Sequence, residues 1–134
     1  MSEITKPSQI TWAVYLFLGS LAIGLVDVFL NLSFELQKTS LIFVILVVAF
    51  TDAIVLLLIY KIDLGRNWAR ITFLVLVLIG LVPYAFALNT LFSRSILIGC
   101  MNITQTVMQI IALHYLFTKP GSTWFQKNTQ TAKH

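Results

Sequence analysis

From Leu41 to Tyr60 the chain reads LIFVILVVAFTDAIVLLLIY, a run whose single charged residue is Asp52. Crossing a hydrocarbon core of about 30 Å takes roughly 20 apolar residues in helix, because each residue advances about 1.5 Å and every backbone group has to be bonded internally. This run has that length and lacks the period of two that marks a strand. Three more segments qualify, approximately Ile10 to Leu32, Trp68 to Leu88 and Ile96 to Phe117. Barrel strands would be about half as long and alternating, which excludes a β-barrel. The expected fold is all-α: a polytopic membrane protein with four transmembrane helices in an antiparallel bundle, residues 1–125, followed by a mobile cytoplasmic tail at 126–134.

Composition agrees. Charged residues make up 10% of the 134, where a soluble domain carries roughly 25%, and mean hydropathy is +0.90. Nine Lys and Arg stand against five Asp and Glu. The basic residues are scattered between apolar runs, so there is no basic face for nucleic acid. Cys100 is the single cysteine, which excludes an internal disulfide, a CxxC redox pair and a multi-cysteine metal site. With His114 near one end of the fourth span, His134 in the tail and Cys100 at the opposite face, no metal site assembles and no cofactor is expected.

The first run is too long for a secretory signal, whose apolar core spans about 7 to 15 residues, and it holds no clear small-residue cleavage site. It is read as an uncleaved first span. Four spans put both termini on one side. Lys6, the middle-loop Lys61, Arg66 and Arg70, and the tail residues Lys119, Lys127 and Lys133 then face Lys38 and Arg94 across the membrane. The positive-inside rule makes the richer side, with both termini, cytoplasmic. Trp12, Trp68 and Trp124 fall near that interface, where an amphipathic ring prefers the headgroup region. Lys119, Pro120 and Gly121 stop the fourth helix. Trp124 and Phe125 beyond them are expected to rest on the membrane surface.

Gly65-Arg66-Asn67-Trp68-Ala69-Arg70 opens the third span, and Leu116-Phe117 followed by Trp124-Phe125 closes the chain. This pattern, over residues 65 to 125, resembles a widespread group of small, uncharacterised bacterial inner-membrane proteins with four spans, a G-R-N-W-A-R-like middle loop and a final L-F followed by W-F. The resemblance implies a bacterial inner-membrane location and supplies no activity. Small multidrug exporters are similar in size but depend on a Glu embedded in the first span, where this chain has Asp27 near the far end. Relatives of vitamin K epoxide reductase need a CxxC.

In the middle loop Asn67 is a fair N-cap for the third span. Arg66 and Arg70 stand at the positive end of that helix, where a cation is disfavoured by about 0.3 to 1 kcal/mol. Lipid phosphates or an acidic partner would offset the cost, so Arg66, Trp68, Arg70 and Trp124 are expected to contact lipid or a partner.

Inside the spans, an Asp at mid-bilayer costs about 2.5 to 3.5 kcal/mol on insertion scales, so each polar group needs a partner. Helical rise puts Asp52 roughly 17 Å below the outer end of its span, with Gln105 at about 14 Å and Gln109 at about 20 Å on the fourth. Asn102, Gln105, Thr106 and Gln109 share one helix face. Asp52 is therefore expected to bond across to Gln105 or Gln109. Nearer the outer surface, Ser20, Gly24, Asp27 and Asn31 form a stripe of small or polar residues that lets helices approach closely. Its expected partners are Tyr84 and Asn102, with Gly80 and Pro83 inviting a kink nearby.

Three roles suit Asp52 and the amide stripe: glue between helices, a proton or ion relay, or recognition of lipid or a partner helix. The leading functional expectation is a noncatalytic inner-membrane protein acting through helix or partner contacts, as an accessory or immunity-type protein. The alternative is a small oligomeric transporter or channel using Asp52 with Gln105 and Gln109, although no inverted repeat or broken half-helix pair supports it. No nucleophile, base and orienting group gather at one depth, so an enzyme is not expected. The expected partners are membrane lipids together with a protein or a second copy of the chain.

Overall fold

The structure, a computed structural model, describes residues 5–133. They form α1 (Ser8–Glu35), α2 (Leu41–Asp63), α3 (Asn67–Arg94), α4 (Ile96–Phe117) and α5 (Gly121–Ala132). The first four are long and apolar enough to cross a membrane. The protein is an all-α membrane protein, as the apolar runs require.

Connections are short, so consecutive helices run antiparallel. Ser40 caps α2 by accepting from the Phe43 amide at 3.3 Å, which gives an acceptor to one of the donors a helix start leaves open. Only Ser95, in extended backbone, separates α3 from α4. Each of the first four helices packs against two of the other three in the order α1, α2, α3, α4 and back to α1, with α1 against α4 the most extensive contact, and α5 packs on α4 and α3. α2 and α4 therefore lie diagonally across the bundle.

The core is one-sided. Ile10, Ala13 and Phe17 of α1 meet Ile59 and Ile62 of α2, Ala69 and Phe73 of α3, and Ala112 and Leu116 of α4, all buried. These residues lie where α1 and α3 begin and α2 and α4 end. We call this end the base and the opposite end, at Glu35, Leu41, Arg94 and Ile96, the mouth. The Phe17 and Phe73 rings meet with centroids 4.2 Å apart and close the bundle above the base.

Three expectations are corrected. The segment 126–134 is not a mobile tail through the described residues, since α5 runs to Ala132; His134 lies outside them. Pro120 and Gly121 end α4, but the chain restarts as a helix that lays Trp124 and Phe125 into the core rather than on a membrane surface. α3 also continues through Pro83 to Arg94, six residues past the expected end at Leu88. A proline removes one intrahelical bond, and in hydrocarbon the helix remains the cheapest way to satisfy the other groups.

Candidate functional site

The base is organised by Arg70. One turn into α3, its side chain is 7% exposed. Nε donates to Asn67 Oδ1 at 2.6 Å and Nη1 donates to the Leu116 carbonyl at 2.8 Å. The guanidinium lies 4.8 Å from the Phe117 ring centre and 4.7 Å from that of Phe125. An unfavourable position at the start of α3 is thus exchanged for a favourable one at the carbonyl end of α4. A planar cation between two aromatic faces adds to the contact. The expected lipid or partner contact of Arg70 is therefore replaced by an internal one. Trp124, 8% exposed, is likewise inside. Nor does Asn67 cap α3: Arg66 holds the cap position and the Asn67 side chain is engaged by Arg70.

Gly65 makes this arrangement accessible. Its φ of 77° turns the chain between α2 and α3, and a Cβ there would stand 3.0 Å from the Trp124 ring. A side chain would be strained in its own backbone and would also collide with α5. Arg66 and Trp68 point away from this cluster, Trp68 being 51% exposed. Lys6 pairs with Asp63, while Arg66, Lys119 and Lys127 are exposed on the same end.

The polar stripe of α1 faces α4, as expected. Asn102 Nδ2 donates to Asp27 Oδ1 at 3.2 Å, and Asn31 Nδ2 donates to the same oxygen at 3.0 Å. Further down, the Gln105 Nε2 atom stands 2.9 Å from where a Cβ on Gly24 would be. Gly19 meets Met108 in the same antiparallel progression. The small residues on α1 are what lets the amide stripe of α4 come this close.

Asp52 is a correction. No hydrogen bond joins it to Gln105 or Gln109 among the described residues, because α2 and α4 are diagonal and the bundle centre separates them. Between α2, α3 and α4 lies a cavity of about 510 Å³ at the mid-length of the helices. Thr51 and Val55 of α2 line it, Asp52 does not, and Gln105 and Gln109 line it from α4. Phe73 stands at its floor. Tyr84 also lines this cavity rather than joining Asp27, and its buried hydroxyl has no partner among the described residues. The sequence reading placed Gln105 and Gln109 on the interior face but missed Gly80 and Thr51 as lining. Residues at spacings of three and four from Tyr84 and Val55 carried that signal.

A smaller cavity of about 310 Å³ opens at the mouth between Asp27, Glu35 and Arg94. There Arg94 and Lys38 lie over one ring, Phe34, at 3.3 Å and 4.4 Å. Cys100 and His114 are exposed on opposite halves of α4. Comparison with protein-family models, with curated proteins and with solved structures finds no match to this chain.

Proposed function

We propose that the protein is a noncatalytic component of the bacterial inner membrane, with both termini cytoplasmic, that works by contact with a partner protein as an accessory or immunity-type protein. The observation that carries this reading is α5. It is fastened beneath the bundle through Trp124, Phe125 and the Arg70 stack. A rigid plate results, exposing Gln126 and Lys127, beside the exposed Arg66 and Lys119. Among the described residues Asp63 is the acidic group on this end, and Lys6 occupies it. The surface is thus preorganised and basic, which favours a partner with acidic groups close to the headgroups. The resemblance over residues 65 to 125 supports the bacterial location, and the distribution of Lys and Arg supports the orientation.

The relay reading loses support, since Asp52 is outside the cavity that Gln105 and Gln109 line.

A photo-crosslinking residue at Gln126 tests the proposal in intact cells. A discrete protein adduct is expected, and it should vanish in Arg70→Leu, which frees α5. Adducts with lipid alone overturn the partner reading. For orientation, a reporter active only in the cytoplasm should work when fused to the C-terminus; activity only from a periplasmic reporter would reverse it.

A further inference from the structure

The central cavity is unrelated to the basic plate, and its lining is selective. We infer that it binds one uncharged, lipid-soluble amphiphile, with an apolar body and a head bearing hydroxyl and carbonyl oxygens.

Three observations lead there. First, among the described residues the lining contains no Lys, Arg, Asp, Glu or His. A charged headgroup or an ion would be stripped of water without compensation. Second, the polar groups that do line it are unspent. The Tyr84 hydroxyl is buried without a partner, and Gln105 and Gln109 make no side-chain hydrogen bond among the described residues. By contrast, Thr51, Asn102 and Thr106 already donate to backbone carbonyls of their own helices. A plain acyl chain filling the space would leave Tyr84 and both amides unsatisfied in hydrocarbon. A head that both gives and accepts hydrogen bonds would satisfy them. Third, size and access fit a small molecule. A volume of about 510 Å³ lies within the roughly 300–1,000 Å³ of small-molecule sites. Phe73, 4% exposed, is the α3 lining residue nearest the base. Exposed lining residues, Phe50 at 69% and Leu76 at 43%, leave it open from the side. Entry is therefore from the bilayer. A partner helix is a poorer occupant: one turn about 10 Å across and 5.4 Å long already takes up most of the volume, and a full span needs several turns.

Gly80 offers a clean test because it lines the cavity and a Cβ there would have no neighbour within 4 Å. Gly80→Leu therefore adds a bulky side chain to the lining with open space for its Cβ, and it raises helix propensity. The probe is 1-monodecanoylglycerol, whose glycerol hydroxyls and ester carbonyl have the required head chemistry. Its charged counterpart is lysophosphatidylglycerol of the same chain length. The readout is the melting temperature of the full-length protein in a mild nonionic detergent, with native mass spectrometry to count bound molecules.

The neutral probe should bind one-to-one and raise the melting temperature of the wild type by several degrees, and the charged lipid should not. Gly80→Leu should abolish both the shift and the adduct. Tyr84→Phe, which removes one oxygen and leaves packing intact, should reduce affinity at least several-fold. An equal response to the charged lipid overturns the assignment. So does a Gly80→Leu protein that still binds the neutral probe, or a wild type that binds neither.

Discussion

The guanidinium of Arg70 and the carbonyl of Leu116, 46 residues apart in the chain, meet at 2.8 Å beneath the bundle. The bond ties the beginning of α3 to the end of α4 and places a cation between Phe117 and Phe125. Replacing Arg70 with Leu removes a charged donor from a buried acceptor, a loss of about 1.5 to 3 kcal/mol. Arg70→Lys should recover less than half of this, since an ammonium cannot form the same fork or stack as a planar group. Thermal unfolding in detergent micelles, followed by circular dichroism, measures both. A Leu variant that melts with the wild type would show that the contact contributes nothing.

Phe125 is fully buried and is the main apolar attachment of α5. Phe125→Ala should cost about 3 to 5 kcal/mol of local stability, as buried aromatic truncations do. The four-helix core should persist while α5 detaches, so trypsin should cut after Lys127 many times faster. Unchanged cleavage at Lys127 would mean that α5 is held by something other than this ring.

Asp27 and Asn102 bond between α1 and α4 at 3.2 Å. Interhelical hydrogen bonds of this kind contribute about 0.6 kcal/mol on average and about 1.7 at most. Asn102→Leu should fall in that range. A double-mutant cycle with Asp27→Leu should return a coupling of the same size. A coupling of zero would mean that the two side chains do not interact in the membrane.

Asp52→Leu should not lower stability, because the carboxylate has no bond to Gln105 or Gln109 to lose and Leu is the better side chain in hydrocarbon. This differs from what depth alone suggests. A loss above about 1 kcal/mol would restore a partner for the carboxylate.

The comparison between Asp52 and Asp27 explains how much of the site the sequence disclosed. Helical rise places residues only along their own helix. Partnership also depends on which helices are neighbours. For Asp27 the facing helix is α4, brought close by Gly24 and Ser20, whose smallness is visible in the sequence. For Asp52 the facing amides lie on the diagonal helix, and no local pattern reveals a diagonal. The four spans were legible because hydrophobic length is a local quantity. α5 was not, because its packing involves Gly65 and Arg70, both distant in sequence from Trp124 and Phe125. The Pro120-Gly121 pair does mark the end of α4, but the break that ends one helix also starts the next. Arg70 was singled out for its cost at a helix start, and the relief came from a helix end that only the folded chain supplies.

The tightest seam in the bundle joins α1 to α4, which are separated in the chain by two other spans. Chains are made at about 5–20 residues per second, so the Ser20, Gly24 and Asp27 stripe spends several seconds in the bilayer before Gln105 and Asn102 exist to meet it. During that interval α1 has α2 and α3 as companions and carries a carboxylate with no amide across from it. A chain interrupted before α4 keeps that polar stripe open to lipid permanently. The seam thereby makes α1 dependent on α4: until α4 arrives, α1 presents a polar helix face that the assembled bundle partly covers.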